Sequence, residues 1–228
     1  MIEKQTSLDD FDFKKGWTVE TEAPAGSIAA KRPYEDFGAA PVDPRRYFAP
    51  EFMRLEEERL WPRVWNMAGF ACDIPQPGDY FRYDLGRESS LVVRTGSGAI
   101  RAFYNVCPHR GNALVHDDFG KVTRFVCGFH GWMFDLDGNN QRVTDAETFR
   151  PETLCGSIGL TPVRCEVASG MVFINSDRHA APLKDFLGEA VDHLAVYRLE
   201  DMRVVRDATT VWDANWKIVA LLEEKGAL

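Results

Sequence analysis

The chain lacks the features that mark an exported, membrane-bound or nucleic-acid-binding protein. Its start carries no apolar run of signal-peptide length and no later segment approaches a membrane span, so we expect no membrane partner and a cytoplasmic location. Lys and Arg number 27 against 35 Asp and Glu, and a net charge of −8 argues against nucleic acid as a partner. The rest is ordinary: 228 residues, 45% hydrophobic, suit one large domain or one domain and part of another.

The chain does contain a short pattern of cysteine and histidine. Residues 107–111 read CPHRG and residues 127–132 read CGFHGW, which gives Cys-x-His, seventeen residues, then Cys-x-x-His. Each loop therefore carries one thiolate and one imidazole. A Rieske [2Fe–2S] cluster needs that set, because two Cys hold one iron and two His hold the other. The candidate cofactor and metal ligands are Cys107, His109, Cys127 and His130.

Structural zinc is the main alternative, because it also takes two cysteines and two histidines. Zinc sites usually begin with a pair of Cys and end with a pair of His, whereas each pair here is mixed. Chance is a second alternative, and it would place two of five cysteines and two of five histidines in this arrangement without a common role. The other cysteines, Cys72, Cys155 and Cys165, are an odd set that we interpret as free thiols in a reducing compartment.

The two loops resemble the Rieske centre of the ring-hydroxylating non-haem iron oxygenases, in their large (alpha) subunit. The second loop departs mildly from that family, which more often has Pro-Tyr where Gly128 and Phe129 stand. Rieske proteins of respiratory and photosynthetic complexes match less well, since the cysteines of their extra disulfide would fall at Asn112 and Phe129. The resemblance covers residues 45–219 and implies that the two cysteines bind the inner iron and the two histidines the outer iron.

The surrounding pattern predicts a mainly β fold with flanking helices (α+β). Short β runs separated by glycine turns are typical of an antiparallel β domain. The predicted strands are 80–83, 90–94, 100–104, 124–126, 132–134, 164–167 and 171–174. Together with the resemblance, this predicts a Rieske-type domain over residues 46–177, with both ligand loops over the cluster. An irregular N-terminal arm, residues 1–45, would precede it.

Helices are predicted on both sides of this domain. One begins at Pro50, and its apolar stripe is expected to pack into the core; the stripe is Phe52, Met53, Leu60 and Val64. A second begins at Pro182 and carries a stripe from Leu183 to Tyr197. Residues 202–212 are predicted to form a strand, and a last helix runs from Asn215 to the end. In the resembled family, residues 178–228 would be the truncated start of a catalytic, helix-grip-like domain.

The chain departs from the family after Val219, where the helix that should carry ligands of a mononuclear iron reads ALLEEK. Oxygen-activating iron usually takes two His and one carboxylate from one face. The unassigned histidines, His116, His179 and His193, have no shared-face spacing, so mononuclear Fe(II) is expected in the family but not in this chain. We expect no substrate hydroxylation by the chain alone, and a C-terminal tail that is mobile, protease-sensitive or self-associated.

The resemblance implies the electron-transfer part of a ring-hydroxylating oxygenase alpha subunit, an oxidoreductase of the dioxygenase kind. It would pass single electrons from a reductase or ferredoxin toward a mononuclear iron. The family forms homotrimers or alpha–beta oligomers. A stand-alone Rieske electron carrier or binding module without oxygenase activity is the alternative function.

Overall fold

The structure is a computed structural model that describes residues 41–154, 158–206 and 208–224, the last four of them by their backbone alone. The chain divides into two units, Met1–Asp43 and Pro44–Leu228. Most of the predicted N-terminal arm, and Cys155, lie outside the described residues. Among the residues that are described, no helix is both long enough and apolar enough to cross a membrane.

The described part of the second unit is built mainly from antiparallel strands, which confirms the predicted fold class. The strands are β1 (Asn66–Phe70), β2 (Asp79–Leu85), β3 (Glu88–Arg94), β4 (Ile100–Tyr104), β5 (Phe119–Lys121), β6 (Phe125–Val126), β7 (Met133–Phe134), β8 (Asn140–Arg142), β9 (Pro162–Ala168) and β10 (Met171–Asn175). Seven of them form a sheet in the order β1-β10-β9-β4-β3-β2-β5, and β6-β7-β8 form a smaller sheet.

The helices that flank these sheets are short. They are α1 (Arg45–Phe48), α2 (Pro50–Arg59), α3 (Pro151–Leu154), α4 (Leu183–Leu187), α5 (Ala190–Ala195) and α6 (Trp216–Glu224). Single 3₁₀ turns lie at Trp61–Arg63, Ala71–Asp73, Ala146–Thr148 and Leu199–Asp201.

Strand β3, between β4 and β2 in the large sheet, is buried on both faces. Because successive side chains of a strand point to opposite faces, Leu91 and Val93 join one core cluster while Val92 joins another. A strand covered on both sides reads as a continuous apolar run rather than an alternating one. Each such side chain contributes roughly 1.5–3 kcal/mol by leaving water. The first of these two clusters also contains both candidate cysteines, so the candidate metal site is continuous with the hydrophobic core.

The turn between β7 and β8 contains a glycine that packs closely against a strand of the large sheet. The predicted turn at Asp137 and Gly138 connects β7 to β8, and the N–H of Gly138 donates to the carbonyl of Asp135 at 3.1 Å. The φ of Gly138 is 85°, and a Cβ there would lie 2.4 Å from the ring of Phe103 in β4. Only glycine fits both the left-handed backbone and this close approach.

Three predictions on the flanking segments are wrong. No strand forms in 202–206 or 208–212, the described parts of the predicted strand, and Val205 is 98% exposed. Valine favours strands, but a strand also needs a neighbour to pair its N–H and C=O groups. The helix from Pro182 breaks at Gly188, whose φ of 53° and ψ of −133° end α4. The apolar stripe of α2 contributes no buried residue, and Met53 is 62% exposed.

The last helix, α6, contacts α2 and Trp61 through its first turn, whereas a mobile, protease-sensitive or self-associated tail stays a prediction. Lys217 Nζ lies 2.5 Å from Glu56 Oε1 in α2, and the two side chains are only 12% and 15% exposed. The indole N–H of Trp216 donates to the other oxygen of Glu56 at 3.2 Å. The ring of Trp216 lies 5.1 Å from that of Trp61, between centroids. One carboxylate thus joins α6 to α2.

Candidate metal centre

The two ligand loops have the same backbone construction. In loop 1 (107–112) the N–H of Cys107 donates to the carbonyl of Asn112 at 2.8 Å; in loop 2 (127–132) the N–H of Cys127 donates to the carbonyl of Trp132 at 2.8 Å. The glycine four residues after each cysteine donates back to that cysteine at 2.9 Å. Those glycines, Gly111 and Gly131, have φ of 73° and 70°, which suits glycine far better than other residues.

The loops come from different sheets. Loop 1 follows β4 of the seven-stranded sheet, and loop 2 connects β6 to β7 of the small sheet. Cys107 and Cys127 are 1% and 2% exposed and pack in one core cluster. The packing of the two sheets therefore brings together two cysteines from separate loops.

The two thiols form a close pair surrounded by N–H groups. The main-chain N–H groups of His109 and Arg110 point at Cys107, and those of Phe129 and His130 point at Cys127. Burial raises the pKa of Cys107. Burial also acts upward on the pKa of Cys127, but hydrogen bonds from main-chain N–H groups, the Cys107 thiol and the Asn112 amide together outweigh burial, and that pKa is lowered. Donors arranged in this way stabilise negatively charged sulfur.

The two imidazoles form a second pair. The rings of His109 and His130 lie 4.5 Å apart between centroids, at 67° to each other. The Nδ1 atom of each ring is buried and has no hydrogen-bond partner. The pKa of His109 is lowered by burial first and then by the positive charges of His130 and Arg110, which keeps the ring neutral and able to bind a metal. A buried polar atom without a partner costs about 1–3 kcal/mol, which a metal bond would relieve.

The four donors form two pairs, one of thiols and one of imidazoles. In a two-iron cluster each iron takes only two protein ligands, Cys on one and His on the other. The two pairs match those two donor sets; the assignment of the four ligands stays a prediction.

Aromatic rings flank both imidazoles, buried rings at His109 and an exposed ring at His130. Trp132 is 4% exposed and stacks on His109 with an interplanar angle of 3° and 4.8 Å between centroids. Phe149 lies 5.8 Å from both of those rings. Phe129 lies 4.0 Å from His130 and is 58% exposed, so the aromatic ring beside this imidazole faces solvent. Both imidazoles are themselves partly buried.

Sequence reasoning missed Asn105, which fixes the shape of loop 1. This side chain is 6% exposed. Its Oδ1 accepts from the N–H groups of Leu114 and Val115 at 3.0 Å each, and its Nδ2 donates to the carbonyl of Val115 at 2.9 Å and to Ser89 Oγ at 3.2 Å. The only sequence signal was an amide in an apolar stretch two residues before a ligand.

The other residues considered from the sequence lie outside the centre. His116, His179 and His193 are all exposed, in the loop after β4, in a turn after β10 and in α5. Cys72 and Cys165 are free thiols. Burial, and then the charge of Glu166, raise the pKa of Cys165 to about 12, so this thiol stays protonated at neutral pH.

Comparisons with known proteins agree with this geometry. A family model described as the Rieske [2Fe-2S] domain matches residues 64–155. The glycine betaine monooxygenase oxygenase subunit of Chromohalobacter salexigens is 34% identical over 173 residues, which cover 76% of this chain and 38% of that protein. The benzene 1,2-dioxygenase alpha subunit of Pseudomonas putida is 35% identical over 193 residues, covering 81% of this chain and 42% of that protein.

Solved structures give the same result. The apo form of CntA, a quaternary ammonium Rieske monooxygenase, superposes with a TM-score of 0.71 at 28% identity, covering 77% of this chain and 52% of that chain. This chain therefore covers about half the length of the CntA chain, and 38% to 42% of the length of the two curated relatives.

Proposed function

Since this chain carries a Rieske [2Fe–2S] domain of the ring-hydroxylating oxygenase alpha-subunit type, we propose that it receives and releases single electrons at a cluster held by loops 1 and 2. The resemblance seen in those loops is confirmed by the family model and by the oxygenase relatives. The single observation that carries the proposal is the pair of buried, unpartnered Nδ1 atoms beside a pair of buried thiols.

The ligand roles follow from which atoms are buried. Cys107 and Cys127 would bind the inner iron as thiolates, and His109 and His130 would bind the outer iron through Nδ1, the ring atom that is buried without a partner. The Nε2 atom of each ring would then carry the proton. When bound, the cluster would supply reversible one-electron chemistry at a potential raised by its histidine ligands.

The protein residues around the cluster would control access to it. Trp132 and Phe149 exclude water from the His109 side, which lowers the local dielectric around the ligands. The exposed ring of Phe129 places the His130 side at the surface. Because an Nε2–H is a hydrogen-bond donor, a carboxylate on a partner protein would orient the ring and share its proton.

We assign the surface beside His130 to docking of both the electron donor and the electron acceptor. The donor would be a reductase or ferredoxin, and the acceptor a mononuclear iron of the oxygenase type, in a homotrimer or an alpha–beta oligomer. Residues 178–228, which include the docked helix α6, would form the first part of the catalytic domain. The named relatives act on glycine betaine and on benzene, and a small organic compound would be the substrate of the assembled enzyme.

Metal analysis and EPR test this proposal on the purified chain. We expect about two irons and two acid-labile sulfides per chain and a rhombic signal on one-electron reduction, because mixed Cys and His ligation makes the two irons unequal. His193→Ala, on exposed α5, is the matched control and should keep the iron, whereas His109→Ala should lose it. One zinc per chain and no iron would refute the proposal. Substrate turnover with reductase and dioxygen would instead separate an oxygenase from a stand-alone carrier.

A further inference from the structure

We propose that the side-chain amide of Asn112 is a positioning and tuning residue that donates a hydrogen bond across the loops to Cys127 and raises the reduction potential of the cluster. Asn112 Nδ2 lies 3.9 Å from Cys127 Sγ and 2.7 Å from the carbonyl oxygen of Ala113. An amide nitrogen has two hydrogens, so it makes both contacts at once. This inference rests on the ligand assignment proposed above.

Asn112 contacts both cysteines, each through a different group. Its carbonyl accepts the N–H of Cys107 at 2.8 Å, which closes loop 1, while its side chain reaches the sulfur of loop 2. A main-chain contact survives any substitution, whereas the side-chain contact disappears with the amide. The two functions of this residue are therefore separable by mutation.

The two loops are not equivalent in this respect. Trp132 occupies the position in loop 2 that Asn112 occupies in loop 1, and its indole N–H is buried without a partner. The sulfur of Cys127 thus receives two main-chain N–H groups, the thiol of Cys107 and the side-chain amide of Asn112, whereas Cys107 receives main-chain N–H groups and donates its own thiol to Cys127. The side-chain donors therefore fall on the cysteine of loop 2.

An N–H donor on a ligand sulfur affects the two redox states differently. Reduction adds one negative charge to the cluster, part of which resides on sulfur, and hydrogen bonds to the sulfurs are among the factors that set Rieske potentials. A donor stabilises the more negative, reduced state by more than the oxidised state. Removing the donor should therefore lower the potential, and adding a negative charge in its place should lower it further.

The test is a redox titration of three variants, followed by EPR. Asn112→Leu keeps the size of the side chain without its donor, and Asn112→Asp replaces the amide by a carboxylate. Asn140→Leu, in β8 outside both loops, is the matched control. At a fixed ambient potential we expect Asn112→Leu to lower the ratio of reduced to oxidised cluster about threefold to tenfold, tenfold being about 59 mV for one electron. Asn112→Asp should lower it further, and Asn140→Leu should not change it.

Two results would overturn this inference. The first is an Asn112→Leu variant with the wild-type EPR signal and the wild-type potential, which would leave Asn112 with a structural role only. The second comes from wild-type protein labelled with ¹⁵N in its asparagine side chains, which keeps the test valid if the variant loses its cluster. Pulsed EPR of the reduced protein should show a weak ¹⁵N coupling, and none would mean that the amide does not reach the sulfur. A wild-type chain without a Rieske signal would overturn the ligand assignment as well.

Discussion

Replacing Asn105 by leucine should loosen loop 1 without touching a ligand. Leucine has nearly the same size, so the substitution leaves little cavity, but it removes all four side-chain hydrogen bonds of Asn105. The N–H groups of Leu114 and Val115 then have no partner in a part of the core that is 9% and 6% exposed. The segment that follows loop 1, at Leu114 and Val115, therefore loses the side chain that holds it in place.

The expected loss of stability is large for a single residue. Each of the four contacts contributes about 0.5–1.5 kcal/mol net, which gives about 2–6 kcal/mol for the set. A domain has only about 5–15 kcal/mol in total. At about 2–4 °C per kcal/mol for a chain of this size, the Tm should fall by at least about 4 °C.

Thermal melts of the cluster-loaded protein, followed by far-UV circular dichroism and by the visible band of the cluster, measure this effect. The visible band should disappear at a lower temperature than the circular dichroism signal, because loop 1 opens first. Asn139→Leu is the matched control: its side chain bonds Asp135 at 3.0 Å in an exposed hairpin, so its Tm should change little. If Asn105→Leu melts within 1 °C of wild type and keeps its iron as well, Asn105 does not anchor the loop.

The remaining predictions concern one ligand, one docking contact and one thiol. His130→Cys should retain a cluster at a lower potential, because a thiolate adds negative charge to the outer iron; an unchanged potential in a redox titration would contradict the assignment. Glu56→Gln should speed limited proteolysis of the chain after about residue 178, because α6 loses its ion pair. The control is Glu58→Gln, which changes an exposed carboxylate on the same helix and should not alter the cleavage rate. Equal cleavage rates for the two variants would show that the ion pair does not hold α6. Cys165, a partly buried thiol with a pKa raised to about 12, should alkylate slowly at pH 8 and quickly in urea, since only the thiolate reacts. Fast labelling of this residue in the folded protein, seen by peptide mass spectrometry, would contradict the raised pKa.

The sequence predicts the large sheet well where its strands carry their own signal. The run at 90–94 is strongly apolar and appears as β3, and the turn at Asp137 and Gly138 appears where its residue types require it. It does not predict β8, because the residues Asn-Gln-Arg have no β preference and pair only since β7 is already beside them. The strand predicted at 202–212 is wrong for the opposite reason. Its valines suit a strand, but within the described residues no neighbouring strand pairs with this segment.

At the metal centre the pattern identified the candidate donors but not the groups that shape their surroundings. Ligand types and spacing are visible in a sequence because the chemistry of iron permits few substitutes. The contribution of Asn112 depends on a distance between two loops, and that distance exists only after the sheets have packed. The docking of α6 on Glu56 was invisible for the same reason, since the partners are 161 positions apart.

The origin of the two ligand loops in separate sheets determines how the protein should respond to losing its cofactor. A cluster bound by both loops would fasten the small sheet to the large one, so that both would open together as one cooperative unit. Without it, β6, β7 and β8 are joined by few residue pairs and pack on the rest chiefly through side chains such as Phe125 and Phe134. Amide hydrogen exchange should then become fast in 125–142 while β3 and β4 stay protected, a local opening rather than global unfolding. Damage to the cluster would thus first open the three-stranded sheet that carries loop 2.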